Sequence, residues 1–499
     1  MQQLEIPRGK IAVFDINHGG LPIAKQLLKS GATVTVFDVY EKSAPEKRAE
    51  YEKEYGFPVH ADLKDFAESE YDLVCLPVHL SPENVFYKKA AGAGLPMMTH
   101  HEMAGRILQN DPRSEQMSLI EITGARGKTS TAVLLAQMLS FKNGVFLHTT
   151  EGLTYWINGE AKQIAPGISI TPAYIPDLID LALEWATLEW TALEKKSAPA
   201  VMIFEVSLGF TGAQDIGILT ALHPDYRVAG DTLSSTDAKT RMISRSKKGG
   251  AFVINCNDLE TVEKYIREDQ KLIVFADSGG AAAETNRPAD VCLNLSAGPK
   301  GEPVAVIRSS RAGASFKAGL RPGYDVKSYT TAMAAATAAA AQETGVPDSW
   351  IESVISGFEG VRGRMREYEE NGCLIMDNSN SGLTVESAKN AVKYMIEKYM
   401  DKGSPEYDSN TQREMTLIIG EEEKTVCEGL DPDGAEKLMN DEKAEFKHII
   451  LVGERFRHMA ENGLFQNAVY AGTFKEGLKQ ALDVSKEGDI IIAAVKCFR

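Results

Sequence analysis

Thr123-Gly124-Ala125-Arg126-Gly127-Lys128-Thr129-Ser130 is the stretch on which the reading of this chain turns. The run before it, Ser118–Ile122, has the character of a buried strand, and the run after it, Thr131–Leu139, that of a helix. A glycine-rich turn between strand and helix exposes successive backbone N–H groups, and the helix aims the positive end of its dipole at the same point. That combination cradles phosphates. The spacing predicts an ATP-binding loop lined by Gly124, Ala125, Arg126, Gly127 and Ser130, with Lys128 reaching the β- and γ-phosphates and the Thr129 hydroxyl on Mg2+. There is one departure: the usual loop has a glycine five positions before Gly127, where this chain has Ile122, and Gly124 stands in for it.

Upstream, Ile11–Phe14 and Thr33–Phe37 read as β runs on either side of a His18-Gly19-Gly20 turn and a helical Leu21–Ser30 that stops at Gly31. With Asp38 closing the second run, this is the layout of a dinucleotide fold, although the glycines do not form G-x-G-x-x-G. Further strands are expected at Leu73–Leu76 and Leu95–Met98, and the segment closes near Asp111-Pro112. Downstream, strands are expected at Ala200–Glu205, Ile216–Leu222 and Ala251–Ile254, with an alanine-rich helix near 330–342 ending the segment. A third segment offers Cys373–Met376, Met415–Ile419, His448–Val452 and Asp489–Ala493 with helical stretches between. Alternating strands and helices imply parallel sheets under helical cover. The expected architecture is therefore α/β in three domains: a Rossmann-like substrate-binding domain over 1–113, a central P-loop ATP-binding domain over 114–357 and a Rossmann-like C-terminal domain over 358–499.

The chain's 499 residues fit three domains of roughly 100–200 residues each. A net charge of -16 repels nucleic acid and anionic membranes, so neither is expected as a partner. The six cysteines are scattered without a Cys-x-x-Cys pair, which argues against a zinc or disulfide framework and for a reducing cytoplasm. No stretch matches a signal core or a run of about 18 strongly apolar residues.

Other motifs fall into order behind the P-loop. Phe204-Glu205-Val206-Ser207 puts a carboxylate at a strand end, where, beside Thr129, it suits a hard divalent ion. Ile218–Tyr226 contains His223-Pro224-Asp225 and is followed by Asp237-Ala238-Lys239. Then come Phe358-Glu359-Gly360-Val361-Arg362-Gly363-Arg364-Met365 and Asp377-Asn378-Ser379-Asn380-Ser381. Taken together, this series resembles the Mur ligases, ATP-dependent enzymes that activate a carboxylate as an acyl phosphate. The resemblance implies Mg2+ on Thr129 and Glu205, a lysine at Lys239 that is often carbamylated and helps hold a second metal ion, and a catalytic contribution from Lys128, Lys239, Arg364 and His223. His223 is displaced from the family's Asp-His pattern, so either His223 or Asp225 could approach the metal. The resemblance also assigns nucleotide contacts to Arg364, Asp377 and Ser379. Gly363 replaces the family's histidine, Asn380 its lysine, and Gly323-Tyr324-Asp325-Val326-Lys327-Ser328 stands where an asparagine motif is expected, which leaves adenine contacts open.

The first segment departs from the wall-building members. Phe14-Asp15-Ile16-Asn17-His18-Gly19-Gly20, Val36-Phe37-Asp38-Val39-Tyr40, Leu76-Pro77-Val78-His79, Thr99-His100-His101-Glu102 and the terminal Val495-Lys496-Cys497-Phe498-Arg499 resemble the methanogen branch of the family, which acts in coenzyme F(430) biosynthesis. That resemblance implies a small-molecule substrate, the nickel tetrapyrrole seco-F(430) acid, whose propionate is closed into a carbocycle by C–C bond formation. Nickel would arrive inside the substrate, and no dedicated protein nickel site is expected. His18, Gly19, Gly20, His79 and His100 are then the candidate substrate-binding residues. Competing readings are an amide-forming ligase with an amino acid or amine as nucleophile, a non-catalytic nucleotide-binding scaffold, and a dinucleotide oxidoreductase suggested by Asp38.

Overall fold

The computed structural model describes residues 5–141, 143–193, 201–277, 289–297, 303–309, 315–319, 330–404, 406–409, 412–422, 429–442, 445–461, 465 and 467–497. Gly323–Ser328, Cys427 and the terminal Phe498-Arg499 lie outside them. The chain divides into two compact units, with the break at Gly357.

The first unit opens with β1 (Lys10–Phe14), β2 (Thr33–Phe37), β3 (Val59–His60), β4 (Leu73–Leu76) and β5 (Met97–Thr99). They form an all-parallel sheet in the order β3-β2-β1-β4-β5. Crossovers are made by α1 (Gly20–Lys29), α2 (Pro45–Tyr55) and α3 (Val85–Gly92), and α4 (His100–Gln109) leaves β5 directly. Both sheet faces are apolar, with Ile11, Val13, Val34 and Val36 packed on one and Ala12, Phe14, Phe37 and Phe66 on the other, as a sheet covered on both sides requires.

The same unit holds an eleven-stranded sheet. In chain order its strands are β6 (Ser118–Thr123), β7 (Val145–Thr149), β8 (Gly152–Ile157), β9 (Glu160–Pro166), β10 (Val201–Glu205) and β11 (Ile216–Leu219). A two-stranded ribbon of β12 (Arg227–Val228) and β13 (Leu233–Ser234) intervenes, and the sheet resumes with β14 (Ala251–Asn255), β15 (Lys271–Asp277), β16 (Val291–Ala297), β17 (Pro303–Ser309) and β18 (Ser315–Gly319). The centre is parallel, with β6 between β10 and β11. The helices used below are α5 (Lys128–Leu139), α6 (Ile175–Leu193) and α7 (Ser235–Thr240). The alanine-rich helix spans Thr330–Glu343 and packs on α5, its small buried side chains allowing close approach.

Both flanks of this sheet turn antiparallel, which corrects the expectation of parallel sheets throughout. The turn between β8 and β9 is Asn158-Gly159 with φ of 51° and 84°, the left-handed pair that a two-residue hairpin needs. The expected strand boundaries also shift. Leu95–Met98 becomes Met97–Thr99, Ile216–Leu222 ends at Leu219, and the helix after the P-loop starts at Lys128 rather than Thr131.

Glu121 on β6 is 1% exposed and accepts hydrogen bonds from the Thr211 backbone N–H and hydroxyl. Burial pushes its carboxyl up to about 7, partly offset by those bonds. The unfolded chain ionises this group near the ordinary 4.5, so the native state holds more protons between that pH and about 7, and stability falls as pH rises through the window. Glu121→Gln keeps one acceptor and gains a donor for Thr211. It is expected to raise the melting temperature at pH 8 by a margin worth on the order of 3 kcal/mol at most, and to change little near pH 4. Equal shifts at both pH values would contradict this account.

The second unit carries a six-stranded sheet in the order β19-β20-β24-β21-β22-β23. Its strands are β19 (Arg366–Glu370), β20 (Cys373–Asp377), β21 (Met415–Glu421), β22 (Phe446–Val452), β23 (Ala468–Ala471) and β24 (Ile490–Lys496). β19 is antiparallel to β20 through another Asn-Gly turn, Asn371-Gly372, with φ of 52° and 77°. The remaining pairings are parallel and fully apolar at the centre.

Candidate active site

The glycine-rich loop leaves β6 between the carboxyl ends of β10 and β11, where open parallel sheets bind ligands. Two glycines make this path possible. Gly124 has φ 152°, and a Cβ there would fall 2.0 Å from Thr220 Oγ1; Gly127 caps α5 at φ 83°. The loop is pinned to the end of β11 by the Ala125 N–H donating to the Ala221 carbonyl at 2.7 Å and by Thr220 Oγ1 donating to the Arg126 carbonyl at 2.5 Å. Lys128 begins α5 and folds its ammonium back over the loop, donating to the Gly124 carbonyl at 3.2 Å.

Thr129 on the first turn of α5 meets Glu205 at the end of β10. The hydroxyl lies 3.1 and 3.0 Å from the two carboxylate oxygens, and both residues are buried. A carboxylate and a hydroxyl, both hard oxygen donors beside a phosphate loop, fit Mg2+. Ser130, on the same turn, is also buried.

Lys239 on α7 is 1% exposed, its ammonium 3.5 Å from the Ser235 carbonyl and 4.6 Å from the centre of the Tyr226 ring. Burial, then the nearby charge of Lys128, bring its pKa down to about 8, with Asp225 acting the other way. Lys239 is therefore within electrostatic reach of the P-loop lysine. The backbone links it to Glu205 as well: a Cβ on Gly209, four positions beyond Glu205, would lie 2.7 Å from the Ala238 carbonyl. Asp225 accepts from Ser235 Oγ at 2.7 Å and the Thr236 N–H at 2.9 Å, which turns it toward α7. His223 is exposed. The sequence left His223 and Asp225 as alternatives, and the geometry couples Asp225 to Lys239.

A second constellation sits in the crevice of the first sheet, where β1 is flanked by β2 and β4. Asp15 and His18 follow β1, Tyr40 follows β2, His79 follows β4, and His100 and His101 follow β5. The fully buried Asp15 carboxylate takes His18 Nδ1 at 2.6 Å and the Asn17 and His18 backbone N–H groups at 2.9 Å. Burial, the largest single influence, opposes its ionisation, but His18, the Asn17 N–H and His100 together hold the carboxyl below the usual range. The rings of His18 and His79 are 4.7 Å apart, and Tyr40 lies parallel to His79 at 6.4 Å. His100 Nδ1 donates to the His18 carbonyl at 3.3 Å. Burial pushes His79 and His100 each down to about 4, so both imidazoles are neutral at neutral pH.

Gly19 and Gly20 have packing reasons for being glycine. Gly19 has φ 103°, and a Cβ on Gly20 would sit 1.6 Å from the Asp15 carbonyl oxygen. His101 Nε2 donates to the Ser207 carbonyl at 2.9 Å, two residues beyond Glu205, so the histidine crevice adjoins the P-loop centre. A Cβ on Gly230 would come within 2.6 Å of Ser81 Oγ, which brings the His79 loop against the turn that follows Asp225. In the sequence Asp15 and Tyr40 stand out only as parts of a motif, and the carboxylate three residues before His18 is the signal for the pair.

Arg364, Asp377 and Ser379 lie in the second unit and form their own network. Asp377 accepts from the Gly363 N–H at 3.0 Å and the Ser379 N–H at 3.1 Å, and Ser379 Oγ accepts from the Val495 N–H at 3.1 Å. Arg364 donates to Asn380 Oδ1, and Asn380 Nδ2 donates to the Gly363 carbonyl at 2.7 Å. Gly363 has φ 73°, and a Cβ would fall 2.2 Å from the Ser379 carbonyl oxygen. The turn as folded therefore admits only glycine at this position, and Asn380 braces it through the Gly363 carbonyl.

A P-loop at the parallel centre of the sheet, a strand-end Glu205 and a buried Lys239 are the arrangement of an ATP-dependent ligase of the Mur type. The comparisons agree. Residues 122–336 match the Mur ligase middle domain, and residues 367–497 match the C-terminal domain of coenzyme F430 synthetase CfbE. The coenzyme F(430) synthetase of Methanosarcina acetivorans is 38% identical, covering 99% of this chain and 100% of that protein. The UDP-N-acetylmuramoylalanine--D-glutamate ligase of Pelotomaculum thermopropionicum is 23% identical over 99% of this chain and 94% of its own length. Among solved structures, the UDP-N-acetylmuramoylalanyl-D-glutamyl-2,6-diaminopimelate--D-alanyl-D-alanyl ligase of Acinetobacter baumannii shares the fold, with a TM-score of 0.53 at 14% identity over 81% of this chain and 78% of that one. The chain belongs to the coenzyme F(430) synthetase family within the Mur ligases.

Proposed function

We propose that this ligase activates the propionate of a nickel tetrapyrrole, seco-F(430) acid, with Mg–ATP and closes it onto a ring carbon. Full-length similarity to a coenzyme F(430) synthetase is the observation that carries the reading. The substrate's carboxylate oxygen attacks the γ-phosphorus of ATP and ADP leaves. A ring carbon then attacks the acyl carbon, phosphate leaves and the carbon gives up its proton. Lys128 and the loop N–H groups hold the transferring phosphoryl group and offset its charge. Thr129 and Glu205 would hold Mg2+, which when bound neutralises phosphate charge. His18, His79 and His100, with Gly19 and Gly20 shaping the turn, would receive the substrate in a crevice beside the P-loop. For Arg364, Asp377 and Ser379 a nucleotide-binding role rests on the family motif, and the three domains over 1–113, 114–357 and 358–499 rest on chain length and the run of strands and helices along the sequence. His223 is retained as a candidate near the metal, with Asp225 the better-placed group.

The net charge of -16 speaks against nucleic acid or anionic membrane as partners, and no described helix is long and apolar enough to cross a membrane. The free thiols of Cys75, Cys256, Cys292, Cys373 and Cys497 suit a cytoplasmic setting. The reading is tested by incubating the protein with ATP and the seco-acid and following ADP release and the absorbance of ring closure.

We further propose that Lys239 works as a carbamate. With a pKa near 8 it keeps a fraction of neutral amine at neutral pH, the form that attacks carbon dioxide. Activity is expected to fall several-fold in carbon dioxide-depleted buffer and to recover with bicarbonate, and Lys239→Ala is expected to show neither response. Wild-type activity indifferent to bicarbonate would remove the carbamate from the account.

A further inference from the structure

Donor groups from two strand ends meet in the crevice of the first sheet. Asp15, His18 and His79 each offer one ligand atom, all within 4.8 Å of one another. Ligand atoms sharing one ion stand about 3–4 Å apart, given metal–nitrogen bonds near 2 Å, so small side-chain rotations would close the set. Two imidazoles and a carboxylate form a borderline donor set that suits Zn2+, Co2+ or Ni2+ better than Mg2+, whose all-oxygen candidate ligands lie at Thr129 and Glu205. A separate observation points to a ligand. His100 is 1% exposed, its Nδ1 lies 3.3 Å from the His18 carbonyl, the Phe14 backbone also acts on the ring, and among the described residues its Nε2 has no hydrogen-bond partner. Buried nitrogens in folded proteins are rarely left so.

We propose that the cluster of Asp15, His18 and His79, with His100 beside it, supplies the protein ligand or ligands of one divalent transition-metal ion. The ion comes either free from solution or as the metal at the centre of the macrocyclic substrate; the second route rests on the function proposed above. A free ion uses all three donors, whereas a macrocycle's metal presents one axial position per face and engages a single imidazole.

The test titrates Co2+ into the full-length protein without nucleotide, in excess Mg2+ to occupy oxygen sites, and follows visible d–d absorption. A band saturating at one equivalent is expected. His18→Gln and His79→Gln are each expected to weaken it at least tenfold, and Glu205→Gln is expected to leave it in place. Thermal melting confirms that the variants fold. A second arm compares the nickel macrocycle with its metal-free form. No Co2+ band, but a nickel-dependent absorbance shift on binding that His79→Gln abolishes, supports the proposal with the substrate as source. A Co2+ band without macrocycle binding supports the metal site while removing the proposed function. Neither signal, or a Co2+ band that survives both histidine substitutions, overturns the proposal.

Discussion

Lys128→Ala is expected to reduce substrate-dependent phosphate release by at least about a hundredfold, with an unchanged melting temperature. The ammonium lies at the first turn of α5, over the loop whose N–H groups would face the phosphates, and its hydrogen bond is to the Gly124 carbonyl of that loop. Removing one preorganised donor from such a site costs about 10²–10³ in rate, because the charge that builds on the transferring phosphoryl group loses its fixed counterpart. Nothing in the fold depends on the ammonium to a similar degree. The loop is tied down independently by Ala125–Ala221 and Thr220–Arg126. Lys239 should respond as well: Lys128 is one of the charges that depress its pKa, so the alanine variant should move that pKa upward. Phosphate release that continues at the wild-type rate would remove the P-loop from the chemistry.

Glu205→Gln is expected to raise the Mg2+ concentration needed for half-maximal activity at least tenfold and to lower the rate at saturation. The carboxylate is buried at a strand end and contacts the Thr129 hydroxyl through both oxygens. Glutamine preserves the shape and one acceptor but removes the charge that favours a hard dication. Because β10 continues into Val206, whose N–H bonds to the Ile122 carbonyl at 2.9 Å, the substitution leaves the strand pairing intact. A magnesium titration of ATP hydrolysis in the presence of substrate reads the effect. An unshifted titration would place the ion elsewhere.

The P-loop was legible because its signal is local: strand, glycine turn, lysine, hydroxyl and helix follow one another within a few residues. Glu205 and Lys239 were legible as motif positions, but their relation to Thr129 and Lys128 depends on β6 lying between β10 and β11, which no local pattern states. The helix was expected at Thr131 and starts at Lys128, since Gly127 is itself the left-handed cap. The antiparallel flanks do not follow from the alternation of strands and helices, although their turns are readable: Asn158-Gly159 and Asn371-Gly372 each separate two β runs. His18 and His79 could be singled out one at a time. That their rings meet follows from β1 pairing with β4 across an intervening βαβ excursion. Gly363 and Asn380 looked like two unrelated losses from the family pattern, whereas the chain path joins them, because a positive-φ turn pressed on the Ser379 carbonyl has no room for a side chain and Asn380 braces it.

The most direct test of the central claim is an assay of ADP formation with Mg–ATP in which the acceptor is varied. Seco-F(430) acid alone is expected to drive ADP release together with the absorbance change of ring closure, and added amino acids or amines are expected to have no effect. ADP release that requires an amino acid or amine, or that accompanies no spectral change of the tetrapyrrole, would contradict the account and return the chain to the amide-forming ligases.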